Sequence, residues 1–172
     1  MIACGADPRA AAADGRTPLH DAAYGNAPQV VAQLIAHGAD VHAAAVDGRT
    51  PLHDATYGNA SQVVADLIVR GADVHVRALN GKTPLHDAAY GKASSSVTEL
   101  ISRGAGLNAK DDLHRAPLHM ASYGNALQAA AELVARGANL LATDRYGRTP
   151  RNLAEQLGRS EILALLTQRK TT

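Results

Sequence analysis

The chain contains no tryptophan and no phenylalanine, and five tyrosines are its whole aromatic content. Platforms for stacking nucleic-acid bases would have to come from those five rings. Charge of one sign is missing too. Seventeen basic residues (17) face 16 acidic ones, a net charge of +1, so no basic field draws the chain to nucleic acid or to an anionic membrane surface. A single cysteine, Cys4, rules out an internal disulfide and fits a reducing compartment, so an intracellular location is expected. The N-terminus shows no charged segment followed by an apolar run, and no signal peptide is read there. No apolar stretch approaches the roughly 18–20 residues of a membrane span. Alanine, by contrast, is abundant; it favours helices and lets them approach closely.

What is present is a repeat. Thr17-Pro18-Leu19-His20 returns as Thr50-Pro51-Leu52-His53 and Thr83-Pro84-Leu85-His86, then in altered form as Ala116-Pro117-Leu118-His119 and Thr149-Pro150-Arg151-Asn152, always 33 residues on. A fixed period of this length marks a stack of like units. The tetrapeptide reads as a helix start. Thr caps a helix by accepting a free first-turn N–H, Pro fits the first helical position, and Leu faces a core. Downstream, Gly25-Asn26 stops the helix, Pro28 starts a second, and Val30, Val31, Leu34 and Ile35 fall at the spacing of one buried helical stripe. Gly38 ends that helix in the left-handed region.

The pattern divides the chain into a partial unit over 1–11, full units at about 12–44, 45–77, 78–110 and 111–143, and a capping unit over 144–167, all one domain. The third stripe is short of a large residue, with Val97, Leu100 and Ile101 preceded by Ser94-Ser95-Ser96. The fourth unit diverges most. His114 stands where the others have Gly, Ala116 replaces the capping Thr, and the stripe thins to Ala129, Ala130, Leu133 and Val134; it reads as the weakest link. In the last unit Arg151 and Asn152 replace Leu and His, and Glu155, Gln156 and Arg159 add the polarity a terminal unit requires. The bare first unit is expected to fray or to meet another surface, and 168–172 to form a polar tail.

A turn, two short antiparallel helices and a 33-residue period resemble the ankyrin repeat family. Asp14-Gly15-Arg16-Thr17-Pro18-Leu19-His20-Asp21-Ala22-Ala23 and Gly38-Ala39-Asp40-Val41 carry the likeness. The resemblance implies an all-α solenoid of helix-turn-helix units with projecting hairpin-like turns. It also implies a protein-binding scaffold whose concave surface is built from those turns and the first helices. The chain departs from the family at the break between helices, where Tyr24-Gly25-Asn26 shifts the stop by one residue, and after Ala-Asp-Val, where His42 and His75 stand for the usual Asn kept at Asn108. The Asn at that place is a hydroxylation substrate in ankyrin repeats, which makes these three positions candidates for modification.

Catalysis finds little support. His20, His53, His86 and His119 recur with the fold and are read as ties between Thr and turn backbone. Side chains parallel in a stack of helices 8–10 Å apart do not converge at the roughly 2 Å a zinc ion requires. His37, His42, His75 and His114 scatter over turns and helix ends. Gly81-Lys82-Thr83 ends like a phosphate loop but lacks the earlier glycine. Asn59-Ala60-Ser61 matches a glycosylation sequon without a secretory signal. Asp21, Asp54 and Asp87 follow their histidines directly, and neighbouring helical residues point about 100° apart. No catalytic residue, metal or cofactor is expected.

Candidate binding residues are the rows that line up across units. Arg16, Arg49, Lys82 and Arg115 lie on the turns, Asp21, Asp54 and Asp87 on the first helices, and Tyr24, Tyr57, Tyr90 and Tyr123 beside them. Such rows form either a solvated, charge-balanced face with tyrosines bracing the helices, or a groove with tyrosine and arginine anchors. Where the rows change, Leu113, Met120, Tyr123 and Tyr146 are expected to make an exposed apolar patch. The partner expected is an unidentified protein or peptide. The alternatives are a structural or self-associating array meeting through its uncapped N-terminal end, or a regulatory domain of a larger protein.

Overall fold

A computed structural model describes residues 7–91 and 93–168. The preceding helix turn and Cys4 expected within 1–6, the break residue Lys92, and the tail beyond 168 lie outside them. The described residues form ten helices and no strand. The first helix of each pair is α1 (Pro18–Tyr24), α3 (Pro51–Tyr57), α5 (Pro84–Tyr90), α7 (Pro117–Gly124) or α9 (Pro150–Gln156). The second is α2 (Pro28–Ala36), α4 (Ser61–Val69), α6 (Ser94–Ser102), α8 (Leu127–Ala135) or α10 (Ser160–Gln168). Helices of seven to nine residues are too short to hold alone in water, so packing holds them. First helices pack on first helices and second on second, and each pair closes on itself, giving two layers.

The core lies between the layers. Leu19, Leu52, Leu85 and Leu118 of the first helices are buried, as are Leu34, Leu67, Leu100 and Leu133 of the second. The stripes fall where their spacing places them, with one end effect: Val30 is 43% exposed whereas Val63 and Ala129 at the same register are fully buried. Ser96, also at this register, is buried with its hydroxyl unpartnered. At the other end Ile162 and Leu166 face inward, while Arg151, Asn152 and Glu155 border a groove of about 550 Å³ with Leu140, Leu141 and Leu166.

The turns are hairpin-like without being strands. In the first, Ala12 N–H donates to Arg16 O at 2.8 Å and Gly15 N–H to Ala12 O at 2.9 Å. Neighbouring turns are stitched by single backbone bonds, from Val46 N–H to Asp14 O (2.8 Å), Leu79 to Asp47 (2.8 Å), Asp112 to Asn80 (3.1 Å) and Arg145 to Leu113 (2.9 Å). At the break between helices it is Asn26, Asn59 and Asn125 that turn left-handed, at φ 51, 57 and 54°. Gly25 and Gly58 stand at the helix ends but keep a negative φ.

Candidate functional site

The histidines tie units together. His20 Nδ1 accepts the Thr17 N–H at 3.1 Å, with the Thr17 hydroxyl 3.0 Å away. An N–H can only donate, so the ring proton sits on Nε2, which donates to Arg49 O of the next unit at 3.1 Å. His53 reaches Lys82 O, His86 reaches Arg115 O and His119 reaches Arg148 O in the same way, at 3.2, 2.9 and 3.0 Å. The sequence implies a tie to the unit's own Thr and turn backbone; the Thr is its own, but the carbonyl it holds belongs to the following turn. The tie also survives at Ala116, whose N–H still meets His119 Nδ1 at 3.1 Å. Burial holds the neutral ring: His53 and His86 are lowered to about 4, only partly offset by their carbonyl bonds, and burial lowers His119 too.

The turn cations form a ladder that changes construction midway. Arg16 bonds Asp21 at 3.0 Å and pairs with Asp54 of the next unit at 2.8 Å. The latter is an ion pair without good hydrogen-bond alignment. Arg49 bonds Asp54 at 3.1 Å and Asp87 at 2.8 Å. Burial works against the charge on both arginines, but their two carboxylates outweigh it and raise them. Burial pushes Asp87 above the usual carboxylate range against the pull of Arg49. In the fourth and fifth units the carboxylate comes from the turn itself. Asp111 Oδ2 holds Arg115 at 2.7 Å and Asp144 Oδ2 holds Arg148 at 2.8 Å. The other oxygen of each accepts turn N–H groups of Leu113 and Arg115, or of Tyr146 and Arg148. In the first three units that turn-capping role belongs to Asp14, Asp47 and Asn80, which accept from Arg16, Arg49 and Lys82.

Beside the ladder the tyrosines form a row, stacked from Tyr24 to Tyr90 and tilted at the last step to Tyr123. Ring centroids are 6.4 Å apart from Tyr24 to Tyr57, 5.9 Å from Tyr57 to Tyr90 and 6.3 Å from Tyr90 to Tyr123. Tyr24, Tyr57 and Tyr123 remain 53, 42 and 48% exposed, while Tyr90 packs partly on the core. Glycine makes this spacing possible. A Cβ at Gly58 would run into the Tyr24 carbonyl, and one at Gly124 into that of Tyr90. The break glycines thus set how closely first helices approach. A groove of about 330 Å³ lies among Arg16, Tyr24, Arg49, Asp54 and Tyr57, where the Arg49 guanidinium stands 5.8 Å from the Tyr57 ring centre.

The rows predicted from the sequence are therefore brought together, with corrections. Asp54 and Asp87 are 3 and 2% exposed; they position arginines and offer little surface. Asp21, paired with Arg16 of its own unit, is exposed. The expected apolar patch does not form, because Met120 is 2% exposed and packs in the core. Leu113 is half-buried on a turn, and Tyr146 lies 4.9 Å under the Arg148 guanidinium, outside the stack. Lys82 makes no ion pair among the described residues, though its charge lowers Asp87. Asp111 and Asp144 were missed. The signal was available, since they stand where Ala12, Ala45 and Ala78 stand in earlier units. Among the described residues no three histidine, cysteine, aspartate or glutamate side chains are grouped to hold a metal, and no helix is long and apolar enough to cross a membrane.

A search of curated proteins returns no match. The family model for ankyrin repeats, in three copies, matches residues 1–78 and 85–172. Ankyrin repeats generally serve as protein–protein interaction modules. The period, the histidine ties, the paired helices and this match agree: the chain belongs to the ankyrin repeat family.

Proposed function

We propose that the chain is a non-enzymatic module that holds a partner protein against the face made by the turns and first helices. The observation that carries the reading is the continuous row of Tyr24, Tyr57, Tyr90 and Tyr123, three of them exposed, along a face where arginines are already fixed. Tyrosine and arginine give large contact area for little lost side-chain freedom when their rotamers are set beforehand. Arg16 and Arg49 are set by Asp21, Asp54 and Asp87. Lys82 and Arg115 continue the row, and Leu113 and Tyr146 extend it at the turn tips. The motif histidines, with both ring nitrogens engaged, support a structural rather than a catalytic role.

The test is paired affinity capture from cells that express the chain. Tyr24→Ser/Tyr57→Ser/Tyr123→Ser is compared with Val69→Ser, a change at an exposed second-helix residue. Proteins held by the wild type should fall at least tenfold on the tyrosine variant and stay on the control. Equal retention on both, with folding intact, would sink the assignment.

A second reading, self-association through the first unit, is favoured by the groove of about 530 Å³ among Ala10–Ala12, Arg16, Asp21, Val30 and Leu34. Asp21 and Val30 are exposed there, whereas Asp54 and Val63 at the same register of the next unit are buried. Val30→Glu should then abolish any dimer seen by sedimentation equilibrium; a wild type monomeric at about 100 µM, which excludes an association stronger than about −5.5 kcal/mol, counts against it.

A further inference from the structure

The tyrosine row runs into a cavity of about 400 Å³ lined by Tyr57, Tyr90, Gly91, Tyr123, Gly124 and Arg159. Arg159 comes from the break of the fifth unit, where earlier units carry Ala27, Ala60, Ala93 and Ala126, and Gln156 stands where a fifth tyrosine would continue the row. Arg49, Arg115 and Arg148 each hold a carboxylate at 3.1 Å or less. Arg159 holds none among the described residues, and its Nε is buried without a hydrogen-bond partner. A guanidinium so placed calls for an anion, since charge-assisted bonds to a carboxylate are the strong ones it can make.

The row also has a measure. Its steps are 6.4, 5.9 and 6.3 Å. Side chains on one side of an extended chain recur about every 6.6–6.8 Å, so alternate residues would meet successive tyrosines with a drift of about 1 Å or less per step. Four residues of an α-helix rise about 6 Å as well, but a helix is 10–12 Å across.

We propose that the tyrosine row binds an extended peptide segment of the partner, alternate side chains lying over Tyr57, Tyr90 and Tyr123 and a carboxylate on Arg159. The inference rests on the first-helix face being the binding face. The carboxylate is supplied by an acidic side chain or by a chain end; both offer the same planar pair of oxygens.

The test is selection of displayed random dodecapeptides on the full chain. The best is then synthesised with a fluorescent label, once as the free acid and once as the C-terminal amide. Affinities are read by fluorescence polarisation against wild type, Arg159→Gln and Tyr57→Ser, each checked for folding by circular dichroism. Selected peptides should show alternation at i, i+2 and i+4 with a carboxylate at a fixed offset. Arg159→Gln should weaken binding at least tenfold. Neutralising the peptide carboxylate should cost the same factor in wild type and nothing further in Arg159→Gln, and the amide arm separates chain end from side chain. Helical i, i+3, i+4 periodicity, no carboxylate, no selected peptide, or Arg159→Gln within twofold of wild type would each overturn the inference. If Tyr57→Ser abolishes binding while Arg159→Gln does not, the inference falls and the binding face stands; if neither variant affects binding, both fall.

Discussion

The first two units and the last two hold the same turn cation by different means. In the first two, Arg16 and Arg49 each pair with an aspartate of their own first helix and with one of the next, so each arginine also spans an interface between units. In the last two, Arg115 and Arg148 are held within the turn by Asp111 and Asp144. One aspartate there does the work of two: it caps the turn and pairs the arginine. That frees two other positions from polarity. The turn position becomes Leu113 or Tyr146, and the first-helix position becomes Met120 or Leu153, both buried. The difference shows that a carboxylate can move nine residues along the chain and still serve one cation, and that charge across an interface can be exchanged for apolar contact.

What both halves share is the histidine tie, and acid tests it with the largest expected effect. His53 and His86 are lowered to about 4 in the fold, against about 6.5 in an unfolded chain. Between those values the unfolded chain takes up protons that the folded chain does not, so stability falls as pH falls from 6.5 to 4. The loss is on the order of 3 kcal/mol per histidine. The raised Asp87 acts in the opposite sense. Urea unfolding from pH 7.5 to 4.5 followed by circular dichroism measures it. A flat profile over this window contradicts the neutral, carbonyl-bound ring.

Next is the exchange itself. Met120→Asp puts a carboxylate back at a buried position whose turn arginine is already taken, and should cost about 3 kcal/mol. Adding Asp111→Ala frees Arg115 for it and should make the double variant more stable than the sum of the singles by about 1 kcal/mol or more. Additive losses, measured by urea unfolding, would mean the two arrangements are not interchangeable. The reverse probe, Asp54→Ala, strips the one carboxylate that meets both Arg16 and Arg49 and should cost about 2 kcal/mol, less than removing an isolated buried partner because each arginine keeps Asp21 or Asp87. A loss below about 0.5 kcal/mol would make the cross-unit ladder ornamental.

The smallest effect belongs to the fourth turn. His114 is left-handed at φ 58°, where Gly15, Gly48, Gly81 and Gly147 sit at 73–77°. A side chain there costs about 1 kcal/mol, so His114→Gly should raise stability by about that much in thermal or urea unfolding.

The repeat made the fold legible in the sequence. Period, caps and stripes identify every helix pair because each unit repeats the same local instructions, and Leu19 or Leu34 can only face inward. The tyrosine row was legible for the same reason. What periodicity could not supply was depth. Met120 replaces a row of aspartates and so reads as surface, yet two of those aspartates were themselves buried by arginines from the neighbouring unit. Partnership across 38 residues, as between Arg49 and Asp87, leaves no trace in a single unit. The break glycines were half legible: helices do end at Gly25 and Gly58, as read, but nothing in one unit shows that Gly58 and Gly124 also have the neighbouring helix lying against them.

The central claim is that a partner covers the stacked tyrosines, and the chain carries its own control for testing it. Tyrosine nitration, read residue by residue by mass spectrometry with and without the captured partner, compares Tyr24, Tyr57 and Tyr123 with Tyr146, which is 65% exposed and outside the stack. The expected result is at least tenfold slower modification of the three stacked tyrosines in the complex and little change at Tyr146. Modification of the stack at the same rate in the bound and free protein would contradict the claim.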